Sequence, residues 1–163
     1  MIFMLKSFLI VFSIFCLGQV SQVSSQSIPK DFQVTLVRTE CFGTCPSYKL
    51  TIDADGGVVF EGINHVKMKG RHKGQISKEK IQLLMNEINH AKFFSLRNNY
   101  TSGQSVCANL ATDNPTTTTS LRMGGRSKTV KHYHGCSGPK VPKHLDLLED
   151  KIDEIANSSQ WIK

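Results

Sequence analysis

The chain has 163 residues, with 20 Lys and Arg against 13 Asp and Glu for a net charge of +7, and 39% of it is hydrophobic. That length and apolar content suffice for one domain with a real core and exclude a disordered polymer. The order of residues shows no repeat, heptad run or long Pro/Gly/Ser tract, which excludes solenoid, coiled-coil and linker-like architectures.

The N-terminus, "MIFMLKSFLIVFSIFCLGQVSQVSSQS", has one cation at Lys6, an apolar run from Phe8 to Leu17 and then small polar residues. This is the pattern of a secretory signal peptide over residues 1–25, cut near Ser25 so that a single domain spans 26–163. The apolar run is about half of the roughly 20 residues a spanning helix needs, so no transmembrane segment is expected in the mature chain. Cys16 raises a lipid-anchor alternative, disfavoured by the bulky Phe15 before it. Loss of Lys6 with the leader leaves 19 Lys and Arg against 13 acids, a charge of +6. A protein exported in this way is periplasmic or secreted, where cysteines oxidise.

Phe32 to Arg38, "FQVTLVR", alternates apolar and polar residues at the period of a half-buried strand. Tyr48 to Asp53 repeats the pattern, Ala54-Asp55-Gly56-Gly57 supplies turn chemistry, and "VVFEG" returns as a third strand. A fourth extended piece is predicted from His65 to Lys73. The period becomes helical after Ser77, a cap residue, with Ile76 placed to staple onto Ile81 and with Ile81, Leu84, Met85 and Ile88 on one face, ending near His90. Phe93, Phe94 and Leu96 form an apolar anchor, and "RNNYTSGQS" is a loop. "TTTTSLRM" and "RSKTVKHY" flank Gly124-Gly125 as a second hairpin. The final helix starts near Pro142, with Leu145, Leu148, Ile152 and Ile155 inward and Asp146, Glu149, Asp150, Asp153 and Glu154 assigned to its outer face. The fold class is α+β: an antiparallel sheet of about six strands, in the order four strands, helix, two strands, helix, with both helices on one face.

Four cysteines follow the leader: Cys41, Cys45, Cys107 and Cys136. An even number in an oxidising compartment indicates two disulfides, for which three pairings exist. The alternative is a reactive or metal-binding Cys41/Cys45 pair. Redox CxxC pairs sit at a helix N-terminus, where the dipole stabilises a thiolate. CxxxCP copper chaperones likewise place the motif at the head of a helix. Here the spacing is CxxxC and a strand follows.

The segments "RTECFGTCPSYKLTIDADGGVVFEG", "TDNPTTTTSLRMGGRSKTV" and "LEDKIDEIANSSQWI" resemble an uncharacterised family of exported bacterial proteins classified as a domain of unknown function, with CFGxCPxY as its most specific part. The resemblance spans nearly the whole mature chain and implies a single domain without assigned activity or catalytic residues. It also implies pairing of Cys41 with Cys45 and of Cys107 with Cys136, since members of such a family keep the first pair without the second.

Two further groups are candidates. "HYHGC" places His132, His134 and Cys136 at i, i+2 and i+4, one face of a strand, and imidazole plus thiolate suits zinc or copper. Set against this, a disulfide-bonded Cys136 cannot act as a thiolate ligand. Lys67, Lys69, Arg71 and Lys73 form the densest cationic row, fit to meet an anionic surface or an acidic partner, or simply to solvate an edge. No aromatics are interleaved for stacking bases, so nucleic acid is not an expected partner. Nucleophile-elbow, zincin, P-loop and dinucleotide motifs are absent, so no cofactor and no enzymatic activity are expected. The reading is a non-enzymatic binding or interaction module stabilised by two disulfides. The alternative is a copper- or zinc-binding or thiol-redox protein using Cys41, Cys45, His132, His134 and Cys136.

Overall fold

The computed structural model describes residues 27–103 and 105–163. The predicted signal peptide and its cleavage site at Ser25 lie outside them. The elements are β1 (Gln33–Arg38), β2 (Ser47–Asp53), β3 (Gly57–Asn64), β4 (Gly70–Gln75), α1 (Lys78–His90), a 3-10 turn (Phe93–Ser95), β5 (Asn99–Tyr100), β6 (Asn109–Leu110), β7 (Thr116–Met123), β8 (Arg126–Tyr133), β9 (Cys136–Ser137), α2 (Lys143–Ala156) and α3 (Ser159–Ile162). No helix among these residues is long and apolar enough to cross a membrane.

The α+β class and the covering of one sheet face by helices hold, but the sheet is neither six-stranded nor purely antiparallel. Seven strands run in the order β4-β3-β2-β1-β7-β8-β5, with β5 parallel to β8, and β6 pairs with β9 in a separate two-stranded ribbon. The three strands missed in the sequence are two residues long, too short for a period to register. β1 lies in the centre because β7 returns antiparallel beside it, pairing Leu36 with Thr119 and Arg38 with Thr117.

The predicted fourth strand is displaced. Residues 65–68 form a bend whose backbone is held by α3, with the Lys67 amide donating to the Ile162 carbonyl and the Met68 amide to that of Trp161. The alternation of Val66 and Met68 therefore belongs to a docked bend, and β4 starts only at Gly70. Trp161, which closes this corner, is buried and stacks on Phe60 with ring centroids 5.2 Å apart.

Alternation places Val34, Leu36, Leu50, Ile52, Val58, Phe60, Leu121 and Val130 under the helices, all essentially inaccessible. They meet Ile81, Leu84 and Ile88 of α1 and Leu145, Leu148 and Ile152 of α2. Ser77 caps α1 by accepting from the Lys80 amide at 3.4 Å, as its sequence position predicts. The β7–β8 hairpin turns on Gly124 (φ 60°) and Gly125 (φ 75°), the double positive φ that a two-residue turn needs. The Asp31 carboxylate accepts from both of their amides, at 2.9 and 2.8 Å.

Candidate metal centre

β8 presents His132 to the covered face, and His134 follows two residues later just beyond the strand end. α2 crosses over this end and brings down Asp146 and Glu149, one turn apart. One donor atom from each of the four residues fits within a cluster whose members all lie within 4.8 Å of one another. His132 Nδ1 stands 3.3 and 3.2 Å from the two carboxylate oxygens of Glu149, and 3.6 Å from Asp146 Oδ1. His134 Nδ1 is 3.3 Å from Asp146 Oδ1, and its Nε2 is 3.5 Å from Glu149 Oε2. The two imidazole centroids are 4.6 Å apart.

Burial is graded across the cluster. The side chains of Glu149 and His132 are 0% and 2% exposed, whereas those of His134 and Asp146 are 22% and 52% exposed, so the cluster has a dry floor and a wet rim.

A second polar layer lies beneath. Arg38, at the end of β1, donates from Nε to Asp153 Oδ2 at 2.9 Å and from Nη2 to Asp150 Oδ1 at 3.0 Å. Asp153 also accepts from the Tyr48 hydroxyl and from Ser158 Oγ, each at 2.7 Å. Arg38 Nη1 further reaches Thr117 Oγ1 at 3.4 Å, and that hydroxyl lies 2.6 Å from His134 Nε2. A guanidinium can only donate, so Thr117 accepts from Arg38, and the second lone pair of its hydroxyl can accept from His134 Nε2–H. That turns His134 Nδ1 to Asp146, with room for a proton or a cation between them.

The shifts in acidity follow from these contacts. Burial favours the neutral form of His132, but the hydrogen bond it donates to Glu149, the charge of Glu149 and that of Asp146 outweigh it and raise the imidazole pKa. The bond from His134 draws the Asp146 carboxyl below its ordinary value against partial desolvation. Burial first, then the Asp153 charge, pushes the Tyr48 phenol up. Arg38 is desolvated, yet Asp153 holds it more firmly protonated than an ordinary guanidinium.

With neutral histidines, the carboxylates of Asp146, Glu149, Asp150 and Asp153 are answered by the single guanidinium of Arg38. Either two protons on the imidazoles or one divalent cation would relieve most of that excess.

The sequence candidates are only partly brought together. His132 and His134 meet, but Cys136 is bonded to Cys107 and Cys41 to Cys45, so among the described residues no free thiolate joins them. Cys41 and Cys45 close a small ring that presents Phe42, 88% exposed, while the Phe42 amide donates to the Asp113 carbonyl. Of the cationic row, Lys67 and Lys69 lie in the bend and near its end, and only Arg71 and Lys73 stand on β4, opposite Glu61 and Val59. The four residues of the row therefore do not share one strand face.

Asp146 and Glu149 are the members of the cluster that sequence reasoning missed. Glu149, assigned to the outer face of α2, is in fact fully buried. A signal was present: Glu149 follows Leu145 by four positions and precedes Ile152 by three, so it stands inside the apolar stripe.

No curated protein matches the chain. A family model described as a domain of unknown function, DUF6438, matches residues 32–156, from the start of β1 to the end of α2, and so takes in all four residues of the cluster. The chain belongs to that family.

Proposed function

We propose that this chain is an exported binding domain whose ligand is a divalent transition-metal ion held by His132, His134, Asp146 and Glu149. The observation that carries this reading is the convergence of two imidazoles and two carboxylates within 4.8 Å, one carboxylate being wholly buried. A buried carboxylate is costly unless a cation answers it. The donor set is nitrogen and oxygen without sulfur, which suits zinc, manganese or ferrous iron better than cuprous copper. Such an ion would supply a Lewis acid at the rim, where Asp146 and His134 reach solvent.

The chain's own residues give the site its shape. Thr117 orients His134, and Arg38, itself fixed by Asp150 and Asp153, supports Thr117. The cysteines are scaffolding in this reading: both pairs are bonded, which agrees with an oxidising compartment and with the leader read at residues 1–25.

Calorimetric titration of chelator-treated protein with Zn²⁺ and with Mn²⁺ tests the proposal. One ion per chain is expected, with affinity lowered about 100-fold or more in His134→Ala and in Glu149→Gln. Stoichiometric uptake that survives both substitutions, or no uptake by folded protein, overturns it. Alkylatable thiols at Cys41 or Cys45 in protein isolated without reductant would instead favour the thiol reading.

A further inference from the structure

The outer face of the sheet carries a second arrangement on the same strand. Thr129, Ser120, Thr35 and Thr51 stand directly opposite one another across β8, β7, β1 and β2, forming one hydroxyl row perpendicular to the strands. Ser120 and Thr129 are hydrogen-bonded at 2.9 Å, and Thr35 and Thr51 at 3.4 Å. A cleft of about 650 Å³ opens over Thr35, Ser120 and Thr129 of this row and runs to the edge of β8, where β5 pairs only with Lys131 and His132. Phe94 and Asn98 form the wall beyond that edge.

Two cations line the cleft, Arg122 on the face of the hydroxyl row and Lys128 from the face of Val130 at the strand's edge, and neutral amides orient both. Arg122 Nη2 donates to Gln33 Oε1 at 3.4 Å, and Lys128 Nζ to Asn98 Oδ1 at 2.8 Å. No acidic residue is among the described residues that line it. Asp31, whose charge also acts on Arg122, is engaged by the Gly124 and Gly125 amides. The positive charge is thus held in place without being neutralised inside the cleft.

We infer that this cleft binds an acidic oligosaccharide, its sugar hydroxyls on the Thr/Ser row and its carboxylates on Arg122 and Lys128. The volume lies within the range of small-ligand sites, roughly 300–1,000 Å³, and is too large for a simple inorganic anion. Each hydroxyl in the row can both donate and accept, matching a polyol, whereas the two cations demand an anion. A base-stacking ligand fits less well, because the one aromatic ring present, Phe94, is covered by the Arg126 guanidinium at 3.8 Å. A concave polar floor is likewise ill-suited to a lipid surface. The hydroxyl row and the metal centre lie on opposite faces of β8, since Thr129 and His132 point apart, while Lys128 shares the His132 face four residues before it.

The test is titration of ¹⁵N-labelled protein with a galacturonate tetramer, its methyl ester and a short polyphosphate. Amide shifts at Thr35, Ser120 and Thr129 are expected with the free acid, and affinity about tenfold weaker for the ester. The double variant Arg122→Gln/Lys128→Gln should lose at least about tenfold in affinity while its dichroism spectrum and its zinc uptake stay unchanged. A second variant, Ser120→Ala/Thr129→Val, should weaken the tetramer about threefold and leave polyphosphate binding alone. Equal binding of polyphosphate and tetramer, shifts spread over every surface cation, or binding only to anionic vesicles would each overturn the inference.

Discussion

The two ends of β8 treat polar side chains in opposite ways. At its C-terminal end α2 lies across the strand, and His132 is enclosed with Glu149 and Asp146. At its N-terminal end, Arg126 to Thr129, only Lys128 is partly buried, and the cations there meet neutral amides, a ring face or solvent. Both ends of the strand carry ionisable side chains. What differs is the cover, and cover decides whether a polar group must find a specific partner or can rely on water.

The largest expected effect comes at the covered end. Glu149→Ala removes the buried partner of His132 and should cost about 3 kcal/mol or more in urea denaturation of the metal-free protein, together with the loss of metal uptake. A change below about 0.5 kcal/mol would show that the two ends of β8 do not differ in this way.

Of comparable size is the effect of the Cys107–Cys136 bridge, which ties the loop after β5 to the strand beyond the histidines. Its 29-residue separation gives about 3.6 kcal/mol by the chain-entropy estimate, against about 2 kcal/mol for the 4-residue separation of Cys41–Cys45. Paired Cys→Ser variants should therefore rank in that order by thermal denaturation. Loss of Cys41–Cys45 should leave metal affinity intact, because neither sulfur belongs to the cluster; a parallel loss of affinity would restore the thiolate reading.

pH sharpens the contrast next. In metal-free protein the His132 pKa is raised, so the protonated imidazole binds its carboxylates more strongly in the folded chain. The stabilisation is fully present below the ordinary histidine value of about 6.5 and is lost as pH rises through the higher folded value. Stability should therefore fall from pH 6 to pH 8, and the imidazole resonance should titrate late. The titratable and charged groups facing it are Glu149, Asp146, Arg38, His134 and Tyr100, and zinc should abolish the titration. An imidazole that titrates below about 6.5 would contradict this balance.

The smallest effect belongs to the exposed hairpin tip. The Asp31 carboxyl is lowered by the Gly125 and Gly124 amides, so its contribution is present above the ordinary aspartate value and lost as pH falls through the lower folded one. Asp31→Asn should slightly loosen the turn, seen as faster amide exchange at Gly124 and Gly125, and leave metal uptake untouched.

Much of this architecture was legible in the order of residues. Val34 and Leu36, Leu50 and Ile52, and the Ile81–Ile88 stripe gave strands and a helix whose places the fold confirms, because a period of two or 3.6 is a local property. Gly124-Gly125 announced its hairpin for the same reason. The bend at residues 65–68 was misread because Val66 and Met68 imitate an alternation while α3 holds their backbone from across the molecule.

The candidate site divides along the same line. His132 and His134 were visible as a pair two apart on one strand, a relation that any extended chain enforces. Their partners were not, because Asp146 and Glu149 arrive on a helix more than ten residues later, and only packing decides which face of that helix meets β8. By itself the sequence determined the α+β class, the number of cysteines available for bridges and the spacing of the two histidines. The tertiary structure bears out the Cys107–Cys136 pairing that the family resemblance implied, and it alone decided that a carboxylate in the apolar stripe of α2 stands beside the imidazoles. Periodicity is written into neighbouring residues, whereas a site assembled from distant elements exists only once the core has fixed how they lie against one another.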